Sequence, residues 1–308
     1  MRLISVLIPT QRRPGGLLTA ARSVLRQTLP DDVTLELLIV DNDPDGSAAV
    51  EVSALAATSE IPIKYLHAPH PGVATARNCG VAAARGDFIA CLDDDEEACD
   101  GWLASLFCTA ETLNADVVFG PISTRLPPNQ SACPRYFSHF FARSGPRQDQ
   151  PIAKPFGCGN SLIRVRALPD RRAPFKTARD HLGGEDDHLF AAMAATGARF
   201  GFAAQALVYE HPGLSRLTLR YCLKRAFSYG QGATAEAARH RGFGGARIAA
   251  TMVIGLAQAV GCALLALSAA AFAPELAAWA ADKAARGLGK VVWLERWHPK
   301  FYGQVSGR

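Results

Sequence analysis

The 308-residue sequence has no Cys-x-x-Cys pair and no zinc-finger spacing among its eight cysteines, at 79, 91, 99, 108, 133, 158, 222 and 262. A disulfide framework is not expected, and a reducing cytosol is the natural compartment. No G-x-G-x-x-G follows the first apolar run, so a dinucleotide-binding oxidoreductase lacks its fingerprint. The run continues as PTQRRPGG, whose glycines come too late and whose arginines are too dense for the phosphate loop of a sugar-phosphate nucleotidyltransferase. No repeat of fixed period is present. The apolar part of MRLISVLIPT is too short, and too soon followed by QRRPGG, for a signal peptide.

Acidic residues are scarce between 212 and 247, where Glu236 alone stands against Arg216, Arg220, Lys224, Arg225, Arg239, Arg241 and Arg247. Charge is missing altogether from Ile248 to Ala273, 26 residues closed by Pro274-Glu275. That length suffices to cross a hydrocarbon core, so a membrane-embedded segment is expected, as a span, a re-entrant hairpin or an in-plane helix. Both flanks are basic and do not orient a single span. The net charge of +5 is modest for this length, and no nucleic-acid partner is expected.

What the sequence does have is apolar residues, 49% of the chain, enough for a sizeable core. Strand-length apolar runs near 3–9, 35–41, 61–66, 87–92 and 116–122 alternate with helical patterns near 15–27, 47–57, 73–85 and 100–113. This is the pattern of an α/β fold, a mostly parallel central sheet with helices on both faces. Ligands of such sheets bind beyond the carboxyl ends of the strands. Pro9-Thr10, Asp41-Asn42-Asp43 and Asp93-Asp94-Asp95 stand at those ends and should converge on one cleft. Residues 124–155 carry no sustained period and read as a long connection. A strand at 159–168, a helix over 183–196 and a strand over 198–210 follow.

The sharpest local feature is ACLDDDEEA, residues 90–98, where five consecutive carboxylates follow a buried-looking strand. Acids favour a helix start, which accounts for Glu96 and Glu97 as the opening of the next helix. An Asp triplet at a strand end needs a cation, and Mg²⁺ or Mn²⁺ bridging a substrate diphosphate would supply it. Arg77, on the preceding helix, could bring a fixed positive charge to a phosphate or to an acidic neighbour. In GGEDDHLF, residues 183–190, two glycines precede carboxylates at a helix start, where a base could meet an acceptor hydroxyl.

SVLIPTQRRPGGLLTAARSVLRQTL, LLIVDNDPDGSA, PGVATARNCGVAAARGDFIACLDDDEEACDGWL and GGEDDHLF stand in an order that resembles the inverting glycosyltransferases of family 2, which have the GT-A fold. The branch is similar to exopolysaccharide glucosyltransferases of the succinoglycan type, and the likeness covers roughly residues 3–212. It implies that Pro9, Thr10 and Arg12 line the nucleotide pocket and that Asp41 hydrogen-bonds the base. Arg77, Asp93 and Asp94 would also face the nucleotide sugar, with Asp93 near the ribose. Asp95 would be the direct metal ligand of the DxD element, with Asp93 and His211 completing the set around Mg²⁺ or Mn²⁺. Asp186 is the candidate base and Glu185 the alternative. The Q-x-x-R-W element of processive synthases is missing, the region reading LKRAFSYGQGAT, which favours transfer of a single sugar.

The resemblance thus implies a GT-A domain over 1–212, to which charge and apolar length add a basic helical connector over 213–247 and membrane-associated helices over 248–308. The expected activity is transfer of one sugar from a nucleotide-diphosphate sugar, UDP-hexose first, to a lipid-linked saccharide at the cytoplasmic face of the inner membrane. Arg216, Arg220 and Lys224, spaced by four in a helix-like stretch at 214–230, would meet anionic lipids or the acceptor's phosphates. The competing expectation is an inactive, membrane-tethered saccharide-binding scaffold of the same fold.

Overall fold

The computed structural model describes residues 1–128, 132–180, 183–239, 244–299 and 301. The chain forms two compact units, one comprising Met1–Thr124 with Ala142–His211, the other Arg125–Phe141 with Pro212–Lys300.

The first unit is built on strands β1 (Arg2–Thr10), β2 (Val33–Asp41), β3 (Ile63–His67) and β4 (Phe88–Cys91), which run parallel and lie in the order β3-β2-β1-β4. Both faces of β1 and β2 are covered, which is why these strands read as unbroken apolar runs. Ile4, Val6 and Ile8 enter one core with Leu35, Leu37 and Ile39, while Leu7, Leu38 and Val40 enter a second on the opposite face. Helices α1 (Pro14–Leu25), α2 (Ala49–Ala56), α3 (Val73–Ala83) and α4 (Trp102–Thr112) connect the strands.

Beyond β4 the sheet changes direction. Strand β9 (Ser161–Arg164) lies antiparallel between β4 and β6 (Val117–Phe119), and β10 (Phe200–Phe202) and β8 (Gln150–Ile152) complete the eight-stranded sheet. The register pairs Cys91 with Ser161 and Phe119 with Ser161. The loop entering β9 therefore emerges at the rim where β1, β2 and β4 end. A second sheet, ordered β5-β11-β7, is made of β5 (Glu96–Ala98), β11 (Val208–Glu210) and β7 (Ile122–Thr124).

Several expectations need correction here. Glu96 and Glu97 do not open a helix: they form β5, pairing with β11, because the Glu96 carboxylate turns back onto the Asp93 N–H (2.9 Å), and α4 begins only at Trp102. The run at 198–210 is two short strands in different sheets, and 124–155 contains α5 (Pro134–Phe141) and β8. Arg216 precedes α7 (Leu219–Arg239), its guanidinium lying over the rings of Phe141 and Tyr221, so it is not on one helical face with Arg220 and Lys224. Arg241 lies outside the described residues.

Helix starts in this unit are completed by distant side chains. Gln27 accepts the Leu103 N–H at the head of α4 (3.1 Å). Asp180 accepts both the N–H (2.9 Å) and the hydroxyl (2.7 Å) of Thr75 in the first turn of α3, satisfying a donor that has no partner within the helix. Gly72 precedes that turn because a Cβ there would lie 2.2 Å from Asp180 Cγ. Gly183 and Gly184, before α6 (Glu185–Ala195), have φ of 77° and 76°, the left-handed region that glycine enters without strain.

The second unit joins α5 and α7 to α8 (Gly244–Ala269) and α9 (Pro274–Val291). Glu275 accepts the N–H groups of Arg135 and Tyr136 (2.9 Å each) and so caps α5 from α9. Tyr136, Trp279 and Phe137 pack edge to face in its core. Close approach of α9 to its neighbours rests on glycine: a Cβ on Gly289 would lie 2.1 Å from the Phe227 carbonyl oxygen of α7, and one on Gly287 2.6 Å from the Gly255 oxygen of α8.

Candidate active site

The rim of the main sheet gathers the chemistry. At the end of β1, Thr10 donates its hydroxyl to Asp94 (2.9 Å), and Arg13 reaches both Asp94 (3.1 Å) and Asp95 (3.0 Å). Pro9 and Thr10 pair with Val40 and Asp41 of β2. Arg12 holds φ of 56° and donates to Asp43 (3.0 Å). Burial would raise the Asp43 carboxyl, but hydrogen bonds from Ser47, the Asp45 N–H and Arg12 outweigh it and leave the group below its ordinary value.

Asp41 is fully buried, and both its oxygens serve the turn after β2. One accepts the Asp43 N–H (3.0 Å); the other accepts the Ala48 N–H (2.7 Å) and the Tyr65 hydroxyl (3.0 Å). Burial and this bond push Tyr65 up to about 12. Its neighbour Asn42 accepts the Gly72 N–H (2.6 Å) and donates to the carbonyls of Ala68 and His70 (2.8 Å each), fastening the loop that leads into α3.

The acidic triplet is divided among different partners. Asp93 meets Arg77 (3.2 Å), Asp94 is enclosed by Thr10 and Arg13, and Asp95 meets Arg13. Burial pushes Asp94 up to about 6 against the pull of Arg13. Gly16 allows α1 to approach, since a Cβ there would lie 2.5 Å from the Asp94 carbonyl oxygen. His211 donates its N–H to the Asp95 carbonyl (2.8 Å), but its ring faces Glu97 (3.0 Å).

Arg77 connects the triplet to α6. Its guanidinium pairs with Glu185 as well as Asp93 and lies 5.7 Å from the Phe175 ring centroid. Glu185 is buried, whereas Asp186, one residue on, is half-exposed and accepts the N–H of Cys158 (3.0 Å) and of Asp187 (2.9 Å). Burial raises the Glu185 carboxyl; Arg77 opposes this and Asp186 adds to it.

The loop before β9, FGCGN, fits between the two carboxylate groups. A Cβ on Gly157 would stand 3.1 Å from Asp186, and one on Gly159 2.8 Å from Asp93. Arg143 ties the loop down, donating to the carbonyls of Gly157 (3.0 Å), Gly159 (2.7 Å) and Asn160 (3.3 Å). Asn160, at φ of 50°, accepts from the Trp102 indole (2.8 Å) and donates to Pro121 and Ala206.

Asp93 and Asp95 are hard oxygen donors with one residue between them, their side chains 38% and 13% exposed. No group of three or more His, Cys, Asp or Glu among the described residues forms a cage for a metal. Magnesium held by one or two carboxylates and substrate phosphates does not need one, so this donor set fits Mg²⁺ or Mn²⁺.

Comparison with known proteins agrees with this architecture. The family model described as Glycosyl transferase family 2 matches residues 5–172. The chain belongs to that family. The glycosyltransferase is 33% identical over 230 residues to the succinoglycan biosynthesis protein ExoM of Rhizobium meliloti (strain 1021), covering 74% of this chain and 73% of ExoM. It is 29% identical over 249 residues to the pre-mycofactocin glycosyltransferase of Mycobacterium tuberculosis (strain CDC 1551 / Oshkosh), covering 78% of this chain and 48% of that longer protein. The crystal structure of S. aureus TarS 1-349 in complex with UDP-GlcNAc superposes with a TM-score of 0.54 at 14% identity, over 94% of this chain and 90% of that one. That likeness concerns the fold, which is GT-A.

Sequence reasoning missed Arg13, Arg143, Asn160 and Asp180. Asn160, preceded by two glycines in FGCGN and followed by a strand, was a usable sign of a tight, close-packed loop. Arg143 and Asp180 carried no local signal, because their partners are remote or come from aperiodic segments.

Proposed function

We propose that this family 2 glycosyltransferase transfers a single sugar, with inversion, from a nucleotide-diphosphate sugar, UDP-hexose first, to a lipid-linked saccharide in exopolysaccharide or cell-surface glycan synthesis. The observation that carries the reading is the loop Gly157–Asn160, which lies against Asp93 on one side and Asp186 on the other, so that leaving-group and base functions are within one substrate of each other. The similarity to ExoM supports the exopolysaccharide setting, and the UDP-GlcNAc bound by TarS supports a nucleotide-sugar donor.

Pro9, Thr10 and Arg12 at the end of β1, with Asp41 at the end of β2, would receive the nucleotide. Asp93 and Asp95 would hold Mg²⁺ or Mn²⁺, which supplies charge neutralisation at the departing diphosphate. Asp186 is the base: it takes the proton of the acceptor hydroxyl as that oxygen bonds the anomeric carbon and the bond to the diphosphate oxygen breaks. Glu185, buried against Arg77, orients the guanidinium instead. The apolar α8 supports association with a membrane, and the reading puts the reaction at its cytoplasmic face.

A donor screen for metal-dependent hydrolysis of nucleotide sugars, with UDP-glucose first, tests the reading without an acceptor. Folded Asp186→Asn and Asp95→Ala variants that kept full transfer would sink it. Calorimetry separates the enzyme from a scaffold: UDP should bind only with Mg²⁺ or Mn²⁺.

A further inference from the structure

The membrane reading leaves open whether α8 crosses the bilayer or lies in it, and the packing of the second unit bears on that choice. From Gly245 to Ala269 the helix is long and apolar enough to span, with mean hydropathy 2.1 and 6% of its most apolar stretch buried within the protein. One stripe faces the rest of the unit: Ile248, Met252, Gly255, Ala259, Cys262 and Ala266, spaced alternately by four and three, the rhythm of a helix packed on helices. The opposite half carries Val253, Ile254, Val260, Leu264 and Leu267, each more than half exposed. The hydroxyls of Thr251 and Ser268 bond back to the carbonyls of Arg247 and Leu265, so neither adds an unpaired donor to that half.

The α9 surface that packs on the inner stripe carries charged side chains among its small and apolar ones. Gln258, close to the midpoint of α8, donates to the Lys283 carbonyl (2.7 Å) and accepts from the Lys290 ammonium (2.7 Å) of α9. One turn away, Gly255 and Gly287 bring the two backbones together. Asp282 and Arg286 of α9 form an ion pair (2.6 Å) on the side of α9 that meets Tyr136 of α5 and Tyr229 of α7. If α8 spanned, α9 would be carried to the bilayer centre with Asp282, Lys283, Arg286 and Lys290, where charge is strongly disfavoured.

We infer that α8 lies in the plane of one leaflet, its outer half among the acyl chains, with α9 behind it toward water. This rests on the membrane reading above. The occupant of the apolar half is lipid, because that half is uncharged along its whole length, while its surroundings in this unit are basic. Arg247 heads the helix, and Arg220 and Lys224 are exposed on α7, which suits anionic headgroups.

The full chain is added to preformed sealed vesicles of phosphatidylethanolamine and phosphatidylglycerol. Wild type should sediment with them, and Leu264→Glu with Leu267→Glu should weaken binding at least about tenfold, with acceptor-independent donor hydrolysis unchanged. Val253→Trp, Val260→Trp and Leu267→Trp, seven residues apart on one stripe, then report depth through quenching by lipids brominated along the acyl chain, read as the difference from wild type. Equal depth at all three supports the in-plane helix. A maximum at Val260 means that α8 spans, which overturns this inference and leaves the membrane reading standing. Absence of vesicle binding overturns both. If the glutamate variant abolishes self-association in light scattering and leaves vesicle binding intact, the half is covered by a second copy and the inference is wrong.

Discussion

Arg77 and Glu185 form an ion pair buried between α3 and the first turn of α6, and the same guanidinium holds Asp93 at the end of β4. One arginine thereby fixes the distance between the carboxylate proposed for the metal and the helix that carries the proposed base. Removing a single partner of a buried pair leaves the other charge uncompensated. Glu185→Ala is therefore expected to lose about 3 kcal/mol of stability in urea denaturation. Asp186→Asn should instead keep stability close to wild type and lower kcat by about 10²–10⁴-fold, the range of general-base removal. The reverse pattern would exchange the roles of the two residues.

The base assignment shows where the sequence was legible. GGEDDH announced a glycine turn and acids at a helix start, and α6 does begin at Glu185 after two glycines of positive φ. It could not separate Glu185 from Asp186, because the difference lies in what each meets, and Arg77 is 108 residues from Glu185 in the chain. The strands at 2–10 and 33–41 were legible because burial on both faces leaves a continuous apolar run. Glu96 was not, since its strand pairing and its bond to the Asp93 N–H override the preference of acids for helix starts.

The Arg143 guanidinium spans three carbonyls of the loop between Asp93 and Asp186, a geometry that a planar fork reaches and an ammonium does not. Burial lowers its pKa below the ordinary guanidinium value, with nearby Glu96, Asp186 and Asp93 opposing. Arg143→Lys should reduce kcat by about ten- to a hundredfold while the donor KM moves little, because the loop shifts and the residues proposed to contact the nucleotide at β1 and β2 do not. Steady-state kinetics with varied donor checks the split. A rise in KM alone would make Arg143 a donor-binding residue.

Gly72 and Asp180 should be energetically coupled. Asp180→Ala removes the cap on α3 and is expected to cost about 1 kcal/mol. Gly72→Ala sets a methyl against the Asp180 carboxylate and should cost more. In the double variant the clash has no partner, so its loss should fall short of the sum of the two single losses by at least about 0.5 kcal/mol. Urea denaturation of the four proteins in the cycle measures it, and strict additivity would mean that the contact carries no energy.

Glu36, on β2, predicts an acid-side change of stability away from the active rim. Burial would raise its carboxyl above 4.5, but hydrogen bonds from Ser5, the Arg85 N–H and the Arg85 guanidinium outweigh this and hold it lower. A folded-state pKa below the unfolded one means that the unfolded chain takes up the proton first. The stabilisation is therefore fully present above pH 4.5 and is lost as the pH falls through the lower, folded value. Glu36→Gln keeps the shape and removes this ionisation. Its Tm should be lower than wild type at neutral pH, and the gap should close as the pH drops below 4.5. Thermal melts across that interval that stayed parallel would show that Ser5 and Arg85 bind the carboxylate and its neutral form equally well.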